Sequence, residues 1–186
     1  MMQQNNDVVG YIYGNVGATE FNFAVKSNSV KKFDYITVPH REGKILAQVL
    51  DIKQHSDLDF EGASSIMMEQ KPDIKTKVSA TVDVIGYRDK KGLLQAPRTP
   101  FNAGESIKKA DENLIRKVLG LNASRENGAY LGLLKGHNLP VFLNIDTLVQ
   151  KHICILAKTG GGKSYACGVL VEELLKHKVP LVILDT

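Results

Sequence analysis

The hydrophobic pattern changes character partway along the chain. In the first half, apolar residues come in short runs, several alternating with polar positions. These are VVGYIYGNV at 8–16, EFNFAV at 20–25, DYITVPH at 34–40, KILAQVLDI at 44–52 and KVSATVDVIGYRD at 77–89. They are rich in β-branched and aromatic residues, and glycine, asparagine and charged turns separate them, which predicts strands. KKG at 90–92 supplies a turn before LLQ. Short strands at this spacing predict a small closed barrel, a form that leaves few sheet edges open to pairing. SDLDFEGASSIMMEQ at 56–70 breaks the pattern. It reads as a loop with a helical turn, with Met67 and Met68 as packing residues.

The second half reads differently. APRTPFNAGES at 96–106 holds two prolines and a glycine, so it predicts a connector and a domain boundary. SIKKADENLIRKVLGL at 106–121 predicts a short helix. Asp111 is its N-cap, Leu114, Val118 and Leu121 share a face, and Gly120 lies near its end. AYLGLLKGHNLPVFLNI at 129–145 predicts two strands around a turn with Gly136 and Asn138. HICIL at 152–156 and PLVILD at 180–185 are continuous apolar runs, as expected of strands buried on both faces. Between them, KSYACGVLVEELLKH at 163–177 has apolar positions at helical spacing, including Val169, Leu170 and Leu174, with Glu172 and Glu173 facing solvent.

Composition narrows the class without naming it. The 186 residues are 43% hydrophobic and 24% charged, as in ordinary soluble globular proteins. No apolar run approaches the ~20 residues of a membrane span. MMQQNNDVV at the N-terminus has neither a basic nor an apolar leader region, so no membrane association and a cytoplasmic location are expected. Cys154 and Cys167 match no zinc or redox spacing and read as reduced, small hydrophobes. The net charge of +4 is uneven. Residues 1–95 hold 12 basic and 12 acidic residues, whereas residues 96–186 hold 12 and 8. The excess sits with the second half and favours anionic partners such as nucleotides or nucleic acid.

The chemistry lies in AKTGGGKSY at 157–165. The phosphate-loop pattern is G-x-x-x-x-G-K-[ST], and only its first position departs, to Ala157. Consecutive glycines let the backbone curl so that its N–H groups face an anion. The loop opens a helix, whose free N–H groups and dipole favour phosphate. Lys163 is the catalytic candidate, able to reach the β- and γ-phosphates of ATP. Ser164 offers its hydroxyl to Mg²⁺. Thr159, Gly160, Gly161, Gly162 and Tyr165 complete the nucleotide-binding set, and Lys158 is read as a solvated side chain. Hydrolysis further needs an acid for the metal, a group to orient water and often a neighbour's arginine. Asp185, at the end of LVILD, is the candidate metal-organising acid. In some P-loop folds that strand supplies it; in ATPases with an additional central strand a later strand does.

The predicted fold class is therefore mixed α and β: a small β-barrel over 1–95, a connector over 96–106, and the incomplete N-terminal part of a P-loop α/β ATPase domain over 107–186. In this order, the barrel, the connector PRTPFNAGESIKKADENLIRKVLGL and the stretch ENGAYLGLLKGHNLPVFLNIDTLVQKHICILAKTGGGKSYACGVLVEELL resemble HerA-type archaeal DNA translocases of the FtsK–HerA superfamily. The resemblance covers nearly the whole chain. It implies a homo-hexameric ring that pumps duplex DNA with ATP and Mg²⁺. It also implies a NurA-type nuclease docked on the barrels during DNA-end resection. The family's strand after the first helix typically ends Asp-Pro-His-Gly-Glu, whereas this chain reads Asp185-Thr186. The expectation is the front part of a longer motor, slow to hydrolyse ATP and weak on DNA by itself. Two other readings compete: a non-catalytic docking module whose P-loop is vestigial or only binds nucleotide, and a small nucleotide kinase. The kinase would need a lid and substrate arginines after the loop, and the sequence offers neither.

Overall fold

The alternating runs form strands: β1 (Val8–Tyr13), β2 (Glu20–Val25), β3 (Tyr35–His40), β4 (Gly43–Ser56), β5 (Thr76–Arg88), β6 (Leu94–Gln95) and β7 (Ser106–Lys109). The computed structural model describes residues 7–26, 29–67 and 74–184. Helix α1 (Phe60–Met67) lies between β4 and β5, in the segment read as a helical turn. The side-chain packing expected of Met67 and Met68 lies outside the described residues.

The strands run β2-β1-β7-β3-β4-β5, and β2 also pairs with β5, closing an antiparallel barrel of six strands. β6 hangs from the end of β5. Register follows the hydrophobic alternation, because a one-residue slip would turn every apolar side chain outward. Ile12, Phe21, Phe23, Ile36, Val38, Ile45, Val49, Val82 and Ile107 fill the interior. β4 carries two register shifts against β5, at Leu46/Ala47 and Val49/Asp51. Such bulges let a long strand bend around a small barrel. At Gly86 the backbone has φ +123°, and a Cβ there would lie 2.1 Å from the Gln95 carbonyl oxygen. Only glycine fits where β6 folds back.

The connector is laid against this barrel. Phe101 is buried in its core and meets the rings of Phe21 and His40, each at 5.0 Å. The Arg98 N–H donates to the Glu42 carboxylate at 3.3 Å, and Thr99 Oγ1 lies 3.2 Å from His40 Nε2. Residues 106–109 are then a strand, not the first turn of a helix. Ile107 is fully buried, and the short run pairs with β1 on one side and β3 on the other. Filling the gap between two open edges outweighs a weak local helical preference. Helix α2 (Glu112–Leu119) follows. Asp111 caps it, accepting the Leu114 N–H at 2.8 Å, and Ile115 and Val118 are its buried positions. Arg88 of β5 donates through Nε to the carbonyl oxygens of Lys117 and Val118, satisfying acceptors at the helix end.

The contacts divide the chain into two units, Met1–Val118 and Leu119–Thr186. The second contains the hairpin β8 (Gly128–Leu133) and β9 (Pro140–Asn144), helix α3 (Ile145–Gln150) and helix α4 (Lys163–Lys176). Asn144 caps α3 by accepting the Thr147 N–H at 2.8 Å. The two continuous apolar runs behave unlike the strands expected of them. Residues 152–156 and the described part of 180–185 form no ladder, and Leu156, Val182 and Leu184 are about nine-tenths exposed. A strand of a parallel sheet exists through its neighbours' hydrogen bonds, and among the described residues neither run has a paired neighbour.

Truncating the barrel centre should be costly. Phe23 is wholly buried, so Phe23→Ala should destabilise the chain by about 3–5 kcal/mol. Urea denaturation followed by far-UV circular dichroism measures it.

Candidate phosphate-binding site

The glycine loop begins as a tight turn. The Gly161 N–H donates to the Lys158 carbonyl oxygen at 2.8 Å. A Cβ on Gly161 would sit 2.8 Å from that same oxygen, so any side chain there opens the turn. Gly160 and Gly162 both take left-handed backbone, at φ +75° and +80°. That conformation strains other residues and costs glycine nothing. Gly162 is the N-cap of α4 and brings no side chain to it. The first bond of the helix runs from the Ala166 N–H to the Gly162 carbonyl oxygen, at 2.9 Å. The N–H groups of the first helical turn therefore keep no partner within the helix, as at any helix start.

Ala157, Lys158, Thr159, Gly160, Gly162, Lys163, Ser164 and Tyr165 line one open depression of about 500 Å³. The structure thus brings together all but Gly161 of the sequence candidates on the loop, and Gly161 forms the turn beneath them. All are exposed, including Lys158, as its reading as a solvated side chain expects. Lys163 makes no ion pair among the described residues, so its charge is available to an anion. The donor set suits phosphate: an ammonium, a hydroxyl and backbone N–H groups at a positive helix end. Ser164 brings its hydroxyl to the same depression as Lys163. No acidic residue lines the depression, and no cluster of three or more metal-ligating side chains occurs among the described residues. Asp185, the candidate acid, lies outside the described residues. Cys154 and Cys167 are free, as expected, but exposed instead of packed.

One contact of α4 is invisible in the sequence. Glu173 was expected to face solvent, but it turns toward the β8–β9 hairpin. Its carboxylate accepts the Tyr130 N–H at 2.8 Å and pairs with Lys176. The Lys176 hydrogen bond, then the Tyr130 N–H, hold the Glu173 carboxyl below its ordinary value, while Glu173 raises Lys176. Leu174 beside it is the buried residue of α4, packed with Ala129 and Ile145. No spacing rule links positions 130 and 173, so only the folded hairpin brings them together.

Comparison with known proteins follows the same division. Residues 9–90 match the HAS barrel domain, and residues 129–186 match the family described as "Helicase HerA, central domain". A probable helicase of Methanocaldococcus jannaschii is 31% identical over 97% of this chain, which spans 36% of that protein. The DNA double-strand break repair helicase HerA of Pyrococcus furiosus is 25% identical over 91% of the chain, which spans 32% of it. An uncharacterized protein of Aquifex aeolicus is 26% identical over 97% of the chain, which spans 79% of its length. Among the described residues no helix is long and apolar enough to cross a membrane.

The Glu173 contact has a defined pH response. Its carboxyl is lowered in the folded chain, so its stabilising effect is present above the ordinary value of 4.5 and is lost as pH falls through the folded value. Hydrogen exchange at the Tyr130 amide should stay protected near neutrality. Corrected for the intrinsic pH dependence of exchange, that protection should be lost below pH 4.5. Glu173→Gln should remove this acid transition.

Proposed function

We propose that this chain, a HAS barrel followed by the start of a HerA central domain, supplies the collar and the phosphate-binding segment of an ATP-driven DNA translocase. The observation that carries the reading is the left-handed glycine turn opening onto a helix start, with Lys163 beside it making no ion pair among the described residues. In this reading the N–H groups of Thr159, Gly160 and Gly162 orient the β-phosphate, and Lys163 neutralises charge on the β- and γ-phosphates. Tyr165 lines the same depression and would border the bound nucleotide. Ser164 would hold Mg²⁺, with Asp185 as the candidate second ligand. The metal, when bound, screens phosphate charge that this loop alone would leave unbalanced.

The larger assembly belongs to the same proposal. Copies form a homo-hexamer around duplex DNA, and the barrels form a collar on which a NurA-type nuclease docks during end resection. Tyr11 and Tyr13 on β1 are about half exposed, which supports the barrel wall as a docking face. In this reading the 186 residues by themselves bind nucleotide yet hydrolyse it slowly, because among the described residues no acid lines the depression to organise the metal or the attacking water. Their DNA affinity is weak, since the excess charge is only +4 and half of the chain is neutral.

Calorimetry with MgATP should give a saturable isotherm for the 186-residue chain, and Lys163→Ala should weaken binding by about 100-fold or more, as expected for loss of a charge-assisted phosphate contact. Steady-state assays with duplex DNA should give turnover far below the 1–100 s⁻¹ typical of phosphoryl-transfer enzymes. Robust turnover abolished by Lys163→Ala would contradict the slow-hydrolysis claim. Absent binding would instead favour a docking module with a vestigial loop.

A further inference from the structure

The unit that carries the glycine loop grips its helix by one end. Leu174 packs with Ala129, Ile145, Leu148 and Val179. Glu173, beside it, takes the Tyr130 N–H of β8 and the Lys176 ammonium. Residues 163–168, at the other end, are all exposed. Lys163 precedes Glu173 by ten residues, so about 15 Å of helix separates the grip from the phosphate-binding end. A tilt of about 10° at the grip would swing Lys163 by about 2.5 Å over that length. Displacement of about 1 Å in a positioning group can change function about 100-fold.

Leu174 resists separation but does little to fix an angle, because apolar packing is non-directional. The Glu173 hydrogen bond is directional and charge-assisted, which makes it short and geometrically demanding. Its donor is well placed to be a fixed point. Tyr130 pairs with Phe142 beside the register shift at Tyr130/Gly132, and their rings meet at 5.4 Å.

We infer that Glu173 is a positioning residue for the phosphate-binding loop: held between the Tyr130 N–H and Lys176, it sets the angle at which α4 presents Lys163 and Ser164. The inference rests on the nucleotide-binding reading above. It makes the β8–β9 hairpin part of the nucleotide site, although no hairpin residue lines the depression. A movement of the hairpin would reach the phosphates through this carboxylate.

The test is MgADP affinity of the full 186-residue chain, with Glu173→Gln, Glu173→Ala, Glu173→Asp and Lys163→Ala, at a temperature where circular dichroism shows each variant folded. Glutamine keeps an oxygen for the Tyr130 N–H, so Glu173→Gln should bind within about threefold of the parent, whereas Glu173→Ala should lose about tenfold or more. Tyr130 amide exchange should speed up in Glu173→Ala and not in Glu173→Gln. Should the alanine variant not fold, Glu173→Asp decides. It keeps the charge on a side chain one methylene shorter and should lose several-fold in affinity. Alanine and aspartate variants that bind like the parent would overturn the inference, as would equal losses in glutamine and alanine. If the parent binds no better than Lys163→Ala, the nucleotide reading itself fails, and that result is separate because Lys163→Ala leaves Glu173 in place.

Discussion

A loop that binds phosphate has to leave its backbone N–H groups unspent, and so it cannot be held in place by them. Here the constraint is met in two ways. Glycines at 160 and 162 take left-handed backbone and let the chain curl with few internal hydrogen bonds. The one turn bond spends only the Gly161 N–H, on the Lys158 carbonyl. Stiffness then has to come from outside the loop. The contacts of α4 that supply it lie at its far end, where Leu174 and Glu173 meet the β8–β9 hairpin. The exposed loop and the structural support thus lie at opposite ends of one helix. The bonds that would steady the loop best are the bonds it has to offer a ligand.

The barrel obeys the opposite logic. Its closure through β2 and β5 uses the backbone groups that an open sheet would leave on its edges. Its interior is filled from every strand of the ring and from the connector, through Phe101. The connector, with its two prolines and a glycine, is therefore fastened by a buried ring, by the Glu42 carboxylate and by His40, not by secondary structure.

The barrel was legible in the sequence because alternation reports directly which side chains face inward. β1 to β5 fall where the β-branched runs lie. β7 was not legible: four residues with one buried isoleucine carry little periodicity, and what makes them a strand is the gap between β1 and β3. The helix after them was readable from Asp111, because a cap is a local device. The glycine loop was readable for the same reason. Apolar runs at 152–156 and 180–185 report a preference for burial, but pairing depends on which neighbours are present. Glu173 was misplaced because a carboxylate on a helix surface looks solvated unless the backbone N–H that it meets, 43 residues earlier, is known.

The most direct measurement is an amide NMR spectrum of the isotope-labelled chain titrated with MgADP. We expect the amides of residues 158–165 to shift together and saturate, with the Tyr130 amide following them and the barrel core unmoved. Unchanged loop amides at saturating nucleotide, or shifts confined to the barrel, would contradict phosphate binding by the glycine loop.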